Sequence, residues 1–245
     1  WYTKFFLGRL KMNPEKWYTS LFEPTGQQIC GEVTPIYDTL SESSIAYMLS
    51  FNKDIRIIYL IRNPIEMEWS HISMLTEGSL TLCDVQKYLW VEEFSDFVGT
   101  LKRYLKYVAP ENLFLGFYED ILFHKYRFLE AVQEFLEVPV QDISVKPQHT
   151  GGYKGIKTDY AVYFAQRNIR KLEKMASVFG GYARFWLDVA SELCQTDTVL
   201  HSDETFVSTP FATSERWRSR WEYPGAKDFQ SGPLSSLSCL GRLIS

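Results

Sequence analysis

Two short apolar runs and several longer runs of helical period set the pattern of this chain. Residues 55–61 (IRIIYLI) and 112–118 (NLFLGFY) are short, apolar and bounded by polar residues, which predicts buried strands. Residues 27–34 (QQICGEVT) predict a further strand, stopped by Pro35. Between these runs the apolar residues recur at helical spacing. Residues 1–22 read as helical with repeated aromatics, broken at Asn13-Pro14, where a second short helix begins. Residues 41–51 predict a helix capped by Ser41 or Ser43. A loop over 76–84 leads into a long helix from Asp84, its cap, to Val108, with Lys102, Arg103 and Lys106 on the solvated face. Helices are predicted over 126–138 and from Asp159 to about Leu193, the last interrupted at Gly180-Gly181. Strands that alternate with helices imply an α/β fold with a parallel sheet and right-handed crossovers.

The junction after residue 61 carries the most local information. Asn63 is a good helix cap, Pro64 suits the first helical position, and Glu66 stands where a capping-box carboxylate belongs. The chain therefore runs strand, tight turn, helix. Arg62 is left at the carboxyl end of the strand, and Ser70 lies two turns into the helix. Ligands of open α/β sheets bind at that end of the strands. A guanidinium fork with a hydroxyl nearby suits a phosphate group.

Composition narrows the class. With 245 residues, 45% of them hydrophobic and 23% charged, the chain is an ordinary globular sequence with one sizeable core. The formal net charge of −4 gives no overall basic field, which argues against a nucleic-acid partner. The tryptophan-arginine cluster of Trp217, Arg218, Arg220 and Trp221 is too local to change that. Cys30, Cys83, Cys194 and Cys239 have no metal-ligand spacing, so no metal is expected. Scattered single cysteines favour buried thiols in a reducing compartment, with two disulfides as the alternative. No apolar run is long enough to span a bilayer and no signal peptide is present, so a cytoplasmic protein is expected. After residue 195 Ser, Thr, Pro and Gly dominate. Residues 1–195 are therefore expected to form the α/β domain and 196–245 a loosely ordered extension.

The string Arg62-Asn-Pro-Ile-Glu followed by Trp69-Ser70-His71 resembles the 3′-phosphate-binding segment of sulfotransferases that use 3′-phosphoadenylyl sulfate (PAPS). The resemblance implies that Arg62 and Ser70 hold the nucleotide 3′-phosphate. Met67 replaces a second arginine common in that family. Gly31-Glu32-Val33-Thr34-Pro35-Ile36-Tyr37 is similar to a segment lining the acceptor and sulfate side of the cleft in carbohydrate sulfotransferases, with Val33 where many relatives carry lysine. Glu32, Thr34 and Tyr37 are thereby substrate-side candidates, and for Glu32 a strand-end carboxylate paired with an arginine is the alternative. Tyr118-Glu119-Asp120 and the helix after it resemble a further family element, in which the acidic pair is structural. In residues 150–157 (TGGYKGIK), Lys154 and Gly155 stand about where the family places a loop that closes over the nucleotide. A plain surface loop is the alternative there.

The resemblance implies a P-loop-like, three-layer fold with a central parallel sheet flanked by helices. It also implies sulfuryl transfer from PAPS, without a metal, to a hydroxyl or amine of an acceptor, a carbohydrate-like one favoured. The family cradles the 5′-phosphosulfate in a loop after its first strand. No such string occurs here, and the first strand and loop are expected upstream of Trp1. A catalytic glutamate three residues before a Phe-Phe pair is common in the family. If Phe5-Phe6 is that pair, the position is Tyr2 and the base is lost; otherwise the base lies upstream of Trp1. Glu32, His71 and His149 are the remaining candidates within the chain. A non-catalytic remnant or binding protein of the same fold is the competing expectation. A P-loop kinase is disfavoured by the absence of a Walker-type lysine.

Overall fold

The computed structural model describes residues 14–20, 22, 29–75, 94–143, 156, 158–195 and 231–244. Contacts divide the chain into two compact units, residues 1–37 and 38–245.

In the first unit Pro14–Thr19 forms helix α1, with proline at its start as its fixed φ allows. Residues 29–34, expected in a strand, have no regular structure. Apolar side chains that a strand would bury stand in solvent here: Val33 is 97% exposed and Ile29 59%. Pro35–Thr39 then makes a single 3-10 turn.

The second unit opens with α2, Glu42–Phe51, whose cap Ser41 accepts the Ser44 amide as its sequence predicts. Strand β1, Ile57–Ile61, leads into helix α3, Pro64–Leu75. Asn63 Oδ1 accepts the Ile65 amide at 3.0 Å, so the asparagine closes the turn by its side chain. Helix α4 spans Phe97–Tyr104 and is capped by Asp96, which accepts the Gly99 amide. The long helix expected from Asp84 thus has a separate start at Phe97, because Asp96 offers its own N-cap; residues 76–93 lie outside the described residues. Arg103 does not lie on a solvated face either. Its guanidinium donates to the Asp38 carbonyl at 2.7 Å and to Thr100 Oγ1 at 2.9 Å.

Strand β2, Leu113–Phe117, is followed by the short helix α5, Tyr118–Phe123, and by α6, Lys125–Phe135. Thr158–Phe179 (α7) and Gly181–Gln195 (α8) fold back on one another at Gly180, whose φ of +67° is a left-handed conformation that favours glycine. Strand β3, Gly232–Pro233, and helix α9, Leu240–Ile244, end the described chain.

β1 and β2 pair in parallel, with Ile57 opposite Leu113 and Ile61 opposite Phe117, and β3 joins β2 antiparallel. The strand alternation divides the sheet faces. Tyr59, Ile61, Leu113, Leu115 and Phe117 enter the main core with residues of α3, α4, α7 and α8. On the other face α6 covers Phe114 with Phe128 and Phe135. Helices therefore flank a central sheet on both sides, as expected of a three-layer α/β fold. Gly116 leaves room on that second face: a Cβ there would come within 2.6 Å of Leu60 and 2.9 Å of Phe128.

The last described segment departs from expectation. Leu234, Cys239 and Leu243 are buried in the main core, so residues 231–244 are part of it rather than of a loose extension. A serine- and glycine-rich composition hides three well-spaced apolar anchors. Cys30, Cys194 and Cys239 are free thiols, and Cys30 is exposed rather than buried. No helix among the described residues is long and apolar enough to cross a membrane.

Candidate functional site

The carboxyl ends of β1 and β2 bring together a buried polar cluster. Arg62 leaves β1 and its guanidinium lies over the ring of Tyr118, the first residue after β2, with Cζ 4.5 Å from the ring centroid. Its Nη2 stands 3.4 Å from Glu66 Oε2, one turn into α3. The ring contact and the ion pair together hold the guanidinium in place. Glu66 is only 3% exposed. Its carboxyl, beyond its expected place in a capping box, serves as the internal counter-ion of Arg62.

Behind this pair lie two further carboxyls. Glu119, also buried, accepts Trp186 Nε1–H at 2.9 Å on Oε1, and its Oε2 has no hydrogen-bond partner. Asp120 accepts the Tyr182 hydroxyl at 2.6 Å, and the Ser231 amide and hydroxyl at 2.9 and 2.5 Å. The acidic pair is structural, as the sequence implies: it ties β2 to α8 and to the segment before β3.

Burial pushes the Glu66 carboxyl up to about 7, against the opposing pull of Arg62. Burial, with Glu66 as a like charge, pushes Glu119 up to about 8. In the unfolded chain such carboxyls ionise near about 4.3. Between that value and about 8 the folded protein therefore holds more protons than the unfolded one, and stability falls as pH rises. Glu119→Gln is expected to flatten this fall. Urea denaturation at a series of pH values across that window measures it, and an unchanged slope would remove Glu119 from the account.

Ser70 lies half-buried on α3, a further turn along the stripe that carries Glu66. Ser70 thus shares the i, i+4 stripe of α3 with Glu66, the partner of Arg62. Met67, at the position where an arginine is common in the resembled family, packs against the core. His71 is half-buried against Phe94, with ring centroids 6.0 Å apart, and burial lowers its pKa. Lys154, Gly155 and His149 lie outside the described residues.

A separate buried network fixes α3 against α7. Glu68 accepts Ser95 Oγ–H and Asn168 Nδ2–H, each at 2.9 Å, and Lys171 Nζ lies 3.6 Å away. These donors satisfy a carboxylate that would otherwise be costly to bury. Neither Glu68 nor Asn168 is signalled by the sequence, since each sits among ordinary helical polar residues.

Within the first unit Glu32, Thr34 and Tyr37 come together as a group. Glu32 accepts the hydroxyls of Tyr18, at 2.5 Å, and Tyr37 on one oxygen, and Thr34 Oγ1–H at 3.4 Å on the other. Burial and the adjacent carboxylate raise the Tyr37 hydroxyl well above its ordinary value. Among the described residues Glu32 is thus held by hydroxyls rather than by an arginine. Tyr18 is the member of this group that sequence reasoning missed; it stands among the repeated aromatics of residues 1–22.

No family model matches the chain. No curated protein matches it either. Among solved structures, a sulfotransferase from Alicyclobacillus acidocaldarius is similar over 69% of this chain and 72% of that one, with 16% identity and a TM-score of 0.50. At that identity the likeness speaks for architecture: the chain has a sulfotransferase-like α/β fold.

Proposed function

We propose that this chain binds a 3′-phosphorylated adenine nucleotide of the PAPS type at the ends of β1 and β2, and that it serves sulfuryl transfer to a hydroxyl or amine. The observation that carries this reading is Arg62: a guanidinium stacked on Tyr118 at the carboxyl end of a central strand, where ligands of such sheets bind. The sulfotransferase-like fold supports it. Arg62 supplies the charged fork and Ser70 a hydroxyl donor to the 3′-phosphate. Lys154 and Gly155 are proposed to close over the nucleotide.

When bound, PAPS supplies an activated sulfuryl group whose transfer needs charge stabilisation at sulfur and at the leaving phosphate. On the acceptor side we assign Glu32, Thr34 and Tyr37 to positioning, with a carbohydrate-like acceptor favoured. Three hydroxyls already donate to the Glu32 carboxylate, and they compete with an acceptor proton for it. This favours positioning over base catalysis for Glu32. It also keeps a non-catalytic nucleotide-binding protein as the second reading.

Calorimetric titration with adenosine 3′,5′-bisphosphate, with 5′-AMP as control, tests the proposal. The bisphosphate is expected to bind much more tightly than AMP. Arg62→Ala is expected to weaken it by about 1.5–3 kcal/mol, as for hydrogen bonds to a charged group. Equal affinity for the two nucleotides, or an unaffected Arg62→Ala variant, would sink the 3′-phosphate site. Sulfuryl transfer from PAPS to a panel of acceptors then separates an enzyme from a binding protein.

A further inference from the structure

Helices α5 and α6 meet in a corner at His124. The residues around it are Leu122, Phe123, His124, Lys125, Tyr126 and Arg127. Three of them are apolar or aromatic and stand in solvent: Leu122 is 46% exposed, Phe123 38% and Tyr126 70%. The other three are basic. His124 and Arg127 are exposed and Lys125 is half-buried. The Lys125 ammonium lies 5.5 Å from the centroid of the Tyr126 ring. Among the described residues no hydrogen bond or ion pair engages Arg127.

The charge here differs from that of the whole chain. Residues 121–129 contain no Asp or Glu, although the protein has a net charge of −4. The two acids just before them, Glu119 and Asp120, are buried and bonded inward to Trp186, Tyr182 and Ser231. His124 and Arg127 also line a groove of about 700 Å³ between α6 and residues 231–237. Glu130 and Glu134, further along α6, line the same groove and confine the positive field to the corner. An exposed apolar residue standing alone needs no explanation, but three within five positions, interleaved with cations, form a patch.

From this composition and exposure we infer that the α5–α6 corner docks on the surface of a bilayer that contains anionic phospholipids. Leu122, Phe123 and Tyr126 enter the interfacial layer, and Lys125 and Arg127, with His124, meet the phosphate and carboxylate headgroups. Lysine, arginine and tyrosine suit this boundary, because each has an apolar stem or ring and a polar tip. The protein then lies on the membrane by this corner, which requires no spanning helix. A nucleic acid would ask for a broader basic field than a chain of this net charge offers. Docking by one short patch is weak and reversible, since stable anchoring takes a second signal. The inference stands apart from the phosphate-site reading of Arg62.

The experiment is flotation of the full chain with two kinds of vesicle, phosphatidylcholine alone and phosphatidylcholine with about a third phosphatidylserine. The protein is expected to float with the anionic vesicles, not with the neutral ones, and less so at high salt. Each cation near such a surface contributes about fivefold in partitioning, so the double variant Lys125→Gln/Arg127→Gln is expected to lose about 25-fold. Leu122→Ser/Tyr126→Ser is expected to weaken binding to the anionic vesicles as well. Arg170→Gln/Lys174→Gln, which removes the same charge from exposed positions of α7, is expected to leave it unchanged. Circular dichroism confirms that each variant is folded. Equal flotation with neutral vesicles would overturn the inference. Full binding by either corner variant, or an equal loss in the α7 variant, would do so too. No flotation with either vesicle would return the corner to a protein partner and overturn it.

Discussion

Truncating Trp186 to alanine should cost about 5 kcal/mol of unfolding free energy, a large part of the 5–15 kcal/mol typical of a domain. The indole is completely buried and packs on Phe117, with ring centroids 6.1 Å apart. Phe117 is the last residue of β2, so the cavity would open where the strand delivers Tyr118 and Glu119 to the candidate site. Loss of packing for a tryptophan of this kind amounts to about 3–5 kcal/mol. The remainder comes from Glu119. Its Oε1 loses the indole donor at 2.9 Å while Oε2 already has no hydrogen-bond partner, and leaving such a group unpaired costs about 1–3 kcal/mol. Trp186→Phe separates the two contributions in part, since it removes the N–H while keeping most of the aromatic volume. It should cost about 1–3 kcal/mol. Chemical denaturation of both variants provides the comparison. A loss below about 2 kcal/mol for Trp186→Ala would mean that the α8 side of the core collapses around the gap.

Trp186 also illustrates how far the sequence was legible. Local rules were sufficient wherever one residue's chemistry decided the conformation. Asn63-Pro64 at the start of α3, Ser41 before α2 and Gly180 between α7 and α8 each have the structure that their type predicts. The strands at 57–61 and 113–117 were legible because both are short and apolar, and buried strands differ from amphipathic helices in that respect. Arg62 was placed correctly at a strand end for the same reason.

What failed depended on partners distant in sequence. Residues 29–34 carry a strand-like pattern, but a strand exists only if another strand offers it hydrogen bonds, and periodicity does not report that. Arg103 looked solvated because its helix face is charged. Its partner is a backbone carbonyl, that of Asp38, which no pattern of side chains reveals. The same blindness hid the pairing of Arg62 with Glu66 and Tyr118. Glu66 at the fourth position after Arg62 is ordinary helical spacing, and only the arrival of β2 beside β1 makes the pair buried. A buried ion pair is weak evidence of stability, since desolvation offsets the attraction. Its place at the carboxyl end of the strands fits the phosphate-binding role proposed for Arg62. Glu32, Thr34 and Tyr37 stand in one legible string, while their mutual hydrogen bonds were not legible, nor was the reach of Tyr18 to Glu32.

The second large effect concerns Asp120. Replacing it with alanine should cost about 3–4 kcal/mol, because three donors lose a buried carboxylate at once. Tyr182 donates at 2.6 Å, the Ser231 amide at 2.9 Å and the Ser231 hydroxyl at 2.5 Å. Ser231 in turn accepts the Phe117 amide at 2.9 Å, so the aspartate is the knot between the end of β2, α8 and the returning chain. The effect should be uneven over the molecule. Hydrogen exchange is expected to rise most in residues 231–244, whose polar attachment to the sheet includes the two-residue pairing of β3, the Ser231–Phe117 bond and the contacts of Asp120. Asp120→Asn should fall between wild type and alanine: it keeps an acceptor for Tyr182 but turns an N–H₂ toward the Ser231 donors. Two outcomes divide the possible causes. If exchange in 231–244 rises while α3 and α7 stay protected, polar contacts at Asp120 hold the segment and its apolar anchors are secondary. If 231–244 stays protected in Asp120→Ala, then burial of Leu234, Cys239 and Leu243 holds it without the aspartate. The buried carboxylate would then have to be explained by the electrostatics it imposes on Glu119 and the arginine site beside it.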